Sequence, residues 1–245
     1  MTSALRKEYL AALGLTSWKL RAPAAAVGDA RPAAALPLRA APAGTAPPQA
    51  APAALREGSF DWNELHARVA ACTRCALSAT RTQTVFGVGN PQADWLIVGE
   101  APGAEEDRQG EPFVGRAGQL LNAMLHAVGL ARAEVYIANV LKCRPPGNRD
   151  PSAAESAECM PYLERQIGLI KPRIVLTVGR IAAQNLLRTE APLARLRGQV
   201  HAFGEARVPL VATYHPAYLL RSPSYKRNAW EDLKFAREVC ARVQR

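Results

Sequence analysis

Apolar residues along this chain recur with two different periods. Four near-continuous apolar runs, DWLIVG (Asp94 to Gly99), VYIANVL (Val135 to Leu141), RIVLTVG (Arg173 to Gly179) and VPLVATY (Val208 to Tyr214), read as strands buried on both faces. Between and after them the spacing lengthens to that of amphipathic helices, near Gly118 to Val128, Ala153 to Ile170, Arg180 to Leu187 and Tyr225 to Val243. Strands of this kind alternating with helices predict an α/β fold with a central parallel sheet covered on both faces. Ligands of such sheets bind beyond the carboxyl ends of the strands. Glu100 lies on the loop leaving the first strand, Asn139 late in the second and His215 directly after the last, so the three are expected on one rim.

Ahead of this pattern the chain changes character. From Ala22 to Ala54, 23 of 33 residues are Ala or Pro, a composition that neither buries much apolar surface nor sustains a helix. Residues 22–55 therefore read as a flexible linker, with ends roughly 30 Å apart as a coil or on the order of 100 Å as polyproline II. Residues 1–21 form a separate peptide in which Leu5, Tyr9, Leu10 and Leu13 recur at helical spacing before Gly14, with Trp18 and Leu20 following. It reads as a short helix that either docks on its own domain or binds a partner. The folded domain is expected over residues 56–245. No run of 18 apolar residues is present, and the N-terminus has no uninterrupted apolar segment of the secretory type, so a cytoplasmic protein without a membrane span is expected.

Charge and cysteine content narrow the chemistry. Lys and Arg number 31 against 21 Asp and Glu, a net charge of +10, which suits a polyanionic partner because neutralised phosphates release their counterions. Five cysteines in a cytoplasmic chain suggest metal ligands or free thiols rather than disulfides. Cys72 and Cys75 form a CTRC turn, while Cys143 and Cys159 add two further sulfurs from a loop and the following helix. Four thiolates suit either zinc or an iron–sulfur cluster, and spacing alone does not choose between them or exclude four buried thiols. Cys240 stands outside this set and reads as a core thiol.

Taken together, GEAPGAEEDRQGEPFVGRAGQLL, the four-cysteine set, NVLKCRPPGNRDP and HPAYLLR occur in the order found in family 4 uracil-DNA glycosylases, which residues 60–245 resemble. The resemblance implies a three-layer α/β/α sandwich and a [4Fe–4S] cluster on Cys72, Cys75, Cys143 and Cys159. It further implies uracil-containing DNA as substrate, single- or double-stranded, with the base rotated out of the stack into a pocket. Phe113 would stack on the base, Asn139 would read its edge, Glu106 would stand against C5 where thymine carries a methyl, and Gly99 and Ala101 would complete the pocket. His215 would stabilise the departing uracil anion, and Glu100 would position water or act on the sugar side. Other glycosylases carry Asp where Ala101 stands, which leaves no obvious strong base. No lysine is called on as a nucleophile, so monofunctional hydrolysis leaving an abasic site is implied. Leu219 or Leu220 would wedge into the duplex with Arg221 on phosphate, and Arg116, with the glycines at 115 and 118, would bind phosphate through free amides at a helix start. The acids of the Glu100–Glu111 stretch would then be pocket walls.

The N-terminal YLAALGLTSWKLRAP is similar to the leading segment of the psi subunit of the DNA polymerase III clamp loader, which implies a tether to replication machinery. A repair enzyme scanning DNA is expected to act as a monomer. Two other classes compete. A metal-stabilised nucleic-acid binding module without catalysis explains the charge and the cysteines but not Phe113 or Asn139. A thiol redox protein explains CTRC alone.

Overall fold

The structure, a computed structural model, describes residues 61–243. The peptide expected over 1–21 and the linker expected over 22–55 lie outside the described residues.

The strands are β1 Val88–Gly89, β2 Trp95–Gly99, β3 Tyr136–Asn139, β4 Ile174–Val178, β5 His201–Phe203 and β6 Val208–Thr213. They form one sheet in the order β1-β3-β2-β4-β6-β5. Its four inner strands pair in parallel, as the continuous apolar runs predict. The sheet is nevertheless mixed, because the two outermost strands run antiparallel to their neighbours. Both escape the sequence pattern for a physical reason: edges of two and three residues are too short to display a period.

The helices are α1 Trp62–Ala70, α2 Ala104–Gln109, α3 Arg116–Ala127, α4 Ala153–Ile170, α5 Arg180–Leu187, α6 Leu193–Leu196, α7 Pro216–Arg221 and α8 Lys226–Arg242. Alternate strand residues divide between two cores. Leu96, Val98, Ala138 and Val175 pack with Leu163 and Ile167 of α4 and with Ala183 and Leu186 of α5. Ile97, Ile137, Leu176 and Val211 pack with Leu121 and Leu125 of α3 and with Leu233 and Ala236 of α8. This is a three-layer α/β/α sandwich, and burying each large apolar side chain contributes about 1.5–3 kcal/mol. Cys240 is buried in the second core, as a core thiol should be. Among the described residues no helix is long and apolar enough to cross a membrane.

Local signals set where the helices begin. Asp61 caps α1, its carboxylate accepting from the Glu64 amide at 2.8 Å. Ser152 and Glu155 form a reciprocal capping box at the start of α4, and Arg149 joins the Glu155 carboxylate at 2.6 Å. That pair pins the loop carrying Cys143 onto the helix carrying Cys159. From β2 the chain crosses to β3 on one side and later returns to β4 on the other. The crevice beyond the ends of β2 and β4 is therefore the switch point of the sheet.

Candidate active site and thiol recess

The carboxyl end of β2 is stripped of side chains so that others can approach it. A Cβ added to Gly99 would lie 2.4 Å from Asn139 Oδ1 and 2.7 Å from Phe113 Cζ. Asn139, the register partner of Gly99 at the end of β3, is only 2% exposed, and its Oδ1 is buried without a hydrogen-bond partner among the described residues. A buried acceptor left without a donor costs about 1–3 kcal/mol, so the position is built for a donor that arrives from outside.

Phe113 occupies the left-handed region with φ +56°, uncommon for a residue with a Cβ, and its ring is buried. Two contacts hold it there. Gly118, in the first turn of α3, packs so closely that an added Cβ would lie 1.7 Å from the Phe113 carbonyl oxygen. Glu106 on α2 accepts from the Val114 and Gly115 amides at 3.2 and 3.4 Å. Glu106 thus grips the loop that presents Phe113. The longer of these bonds engages the Gly115 amide, and Arg116 stands exposed at the start of α3. The acids nearby also differ from the expected pocket walls. Glu105 and Glu111 are exposed, and buried Asp107 accepts from the Thr82 amide at 2.9 Å.

His215 caps α7, and its ring centroid lies 5.6 Å from that of Phe113. Its Nδ1 accepts from the Ala217 amide at 3.1 Å, which assigns the proton of the neutral ring to Nε2. Burial, assisted by the positive charge of Arg221, lowers its pKa to about 4. A neutral imidazole that donates through Nε2 results. It rests on Gly179, whose φ of +105° favours glycine and where a Cβ would come within 3.1 Å of the His215 Cβ.

Glu100 follows β2 directly, its carbonyl accepting from the Leu141 amide at 3.0 Å. Burial first, and then the negative charge of Asp150, raise its pKa to about 7 against the opposing charge of Arg180. Asp150 and Arg180 pair with each other at 2.8 Å, joining the end of the Cys143 loop to the start of α5. Sequence reasoning missed both residues, since only the crossover from β3 to β4 brings them beside Glu100. Ala101 is half-buried against the first core. Of the DNA-contact residues expected on α7, Leu219 is 1% exposed and packs in the second core, so it is corrected to a core residue. Leu220 is 39% exposed, and Arg221 is exposed beside it.

The four cysteines set apart by spacing line one recess, together with Arg74, Arg81, Lys142 and Tyr162. Cys143 and Cys159 are buried, and Cys72 and Cys75 are half-buried. Arg81 donates to Cys143 Sγ at 3.0 Å, and the Lys142 amide donates to Cys159 Sγ at 3.4 Å. Burial pushes the Cys159 thiol up to about 12, so ionising it in place calls for a bound cation. Among the described residues no three His, Cys, Asp or Glu side chains converge as a ready one-ion site. The donor chemistry, four thiols with N–H groups aimed at two sulfurs, fits a thiolate-held metal group.

One residue joins recess and pocket. Lys142, fully buried, donates from Nζ to the Asn139 carbonyl at 2.9 Å, to Gln166 Oε1 at 2.6 Å and to the Phe86 carbonyl at 3.3 Å. Nothing in its sequence context marks a lysine as buried.

Comparison with known proteins agrees with this geometry. The profile of the Uracil DNA glycosylase superfamily matches residues 86–234. A Type-4 uracil-DNA glycosylase of Archaeoglobus fulgidus is 43% identical over 188 residues, 74% of this chain and 94% of the relative. One from Pyrobaculum aerophilum is 42% identical over 179 residues, 71% and 91% of the two chains. A Type-5 uracil-DNA glycosylase of Thermus thermophilus is 33% identical over 175 residues, 65% and 76% of the two chains.

Proposed function

The chain belongs to the uracil-DNA glycosylase superfamily, and from that membership we propose that it flips uracil out of DNA and hydrolyses the N-glycosidic bond, leaving an abasic site for repair. One observation carries the reading at the level of chemistry: the orphaned Oδ1 of Asn139, buried against Gly99 and Phe113. Uracil offers a donor, N3–H, beside an acceptor, O4, and a single amide satisfies both. Cytosine presents a lone pair at N3 and an amino group at C4, which would leave the same amide opposed at both atoms. Phe113 supplies the stacking face. As the bond breaks, negative charge gathers on the departing base, and His215 donates from Nε2 to its O2 without first having to lose a proton. Glu100 accepts the proton of the attacking water in its ionised form.

Cys72, Cys75, Cys143 and Cys159 would hold a [4Fe–4S] cluster. When bound, such a cluster ionises the four thiols and ties the CTRC turn to the Cys143 loop and α4. Hydrolysis transfers no electron, so its work is structural. Arg81 and the Lys142 amide support that site by donating to its sulfurs. Leu220 is the wedge candidate on α7, with Arg221 on phosphate.

Incubation with oligonucleotides carrying uracil, thymine or cytosine, followed by alkali, tests the reading. Cleavage confined to the uracil position is expected. Folded, iron-loaded protein that produces no alkali-labile site would overturn it. Iron and acid-labile sulfide analysis tests the cluster separately, and colourless protein containing zinc would remove the cluster while leaving excision intact.

A further inference from the structure

Among the described residues, the large hydrophobic side chains that stand exposed are Leu220 at 39%, Tyr225 at 38% and Trp230 at 38%, all between the end of α7 and the second turn of α8. From Arg221 to Trp230 this segment contains Arg221, Lys226 and Arg227 and no acidic residue, and the three cations are exposed with no ion pair to a described residue. The acids that follow are already engaged. Glu231 pairs with Lys234 at 2.7 Å, and buried Asp232 pairs with Arg197 at 2.7 Å. A solvated helix face would carry charges of both signs and few rings.

The aromatic side chains are also organised. Tyr225 lies 5.4 Å from Tyr218 and 5.0 Å from Tyr214, and Tyr214 and Tyr218 stack at 5.5 Å with planes only 15° apart. The Arg197 guanidinium sits 4.4 Å from the centroid of the Tyr214 ring. The three rings pack as one cluster, of which Tyr225 is the exposed member. On α8, Lys226 and Trp230 lie one turn apart and share a face. The segment is continuous with the pocket, since His215 caps α7 and the charge of Arg221 acts on that imidazole.

We propose that Tyr225 and Trp230, flanked by Arg221, Lys226 and Arg227, form a stacking subsite for unpaired bases of the uracil-bearing strand. Rings offer their faces only to bases that are not already sandwiched in a duplex, and the cations follow the phosphates of the same strand. The subsite thus favours single-stranded flanks. It deepens the reading of the pocket as a uracil site, which it takes as given.

Equilibrium binding of the full-length protein to a labelled, uracil-free single-stranded oligonucleotide and to its duplex tests the subsite independently of excision. Tyr225→Ala and Trp230→Ala should each weaken single-strand binding about tenfold and duplex binding much less. Tyr225→Phe, which keeps the ring face, should retain affinity. Lys226→Ala and Arg227→Ala should each lower the slope of log affinity against log salt by about 0.7 on single strands. Unchanged single-strand affinity in both alanine variants, or an equal loss on duplex, would overturn the proposal. Wild-type protein that binds single strands through Tyr225 yet excises no uracil would instead overturn the functional reading and leave the subsite standing.

Discussion

At the scale of single residues the site is a set of groups whose ordinary behaviour has been altered by position. Glu100 is held near pKa 7 by burial, so the ionised form that we propose accepts a proton from water accumulates only as pH rises through that value. His215, near 4, stays neutral throughout the same range and does not limit the profile. Excision is expected to rise between pH 6 and 8 with a midpoint of about 7. Arg180→Gln, removing a cation that lowers the Glu100 pKa, should move that midpoint up, and Asp150→Asn should move it down; single-turnover rates against pH would show both. Stability runs the opposite way. A carboxyl whose pKa is raised on folding contributes stability that is present below the normal carboxylate range and lost as pH rises through about 7. Glu100→Gln should therefore slow excision by about 10²–10⁴-fold while raising the melting temperature more at pH 8 than at pH 5. Gly99→Ala tests the approach of Asn139 and Phe113, because its methyl group would displace both; a loss of about 10²-fold in kcat/KM for uracil is expected from a misplacement of this size.

Among the elements, what sequence revealed and what it hid divide along physical lines. The inner strands and the long helices were legible because burial on one or both faces writes a period into them. Glu100, Asn139 and His215 were legible as a group because parallel pairing sends all the carboxyl ends to one rim. The left-handed backbone of Phe113 was not legible, since it follows from the contact between Gly118 and the Phe113 carbonyl rather than from any local preference. The grip of Glu106 on the Val114 and Gly115 amides was not legible, because it depends on how α2 and α3 meet. Leu219 and Leu220 look alike in the chain, and only the rotation of α7 sends the first into the core. Lys142 was passed over because a lysine is ordinarily exposed. Replacing it with Met would leave the Asn139 carbonyl and Gln166 Oε1 without that donor, at a cost of about 1–3 kcal/mol, readable as a shift in the denaturation midpoint.

For the whole molecule, the thiol recess and the pocket around Asn139 are linked by Lys142, in the segment that follows β3. The recess gathers parts that are remote in sequence: the turn after α1, the loop after β3 and the middle of α4. Loss of one ligand should accordingly be felt as a loss of stability before a loss of chemistry. Cys143→Ser is expected to lower both iron content and melting temperature, with the activity of the remaining folded, loaded fraction near that of the wild type; active-site titration against iron content would measure it. A mutant that keeps its iron and its melting temperature would contradict that expectation.

The two edges of the sheet carry a last implication. A sheet margin is a row of unpaired amides and carbonyls on which a second chain can zip. Here those margins are formed by Val88–Gly89 and His201–Phe203, each too short to template more than a bond or two. Strand-to-strand zipping at either margin, the commonest route from a folded sheet to a fibril, is thereby left with almost no template.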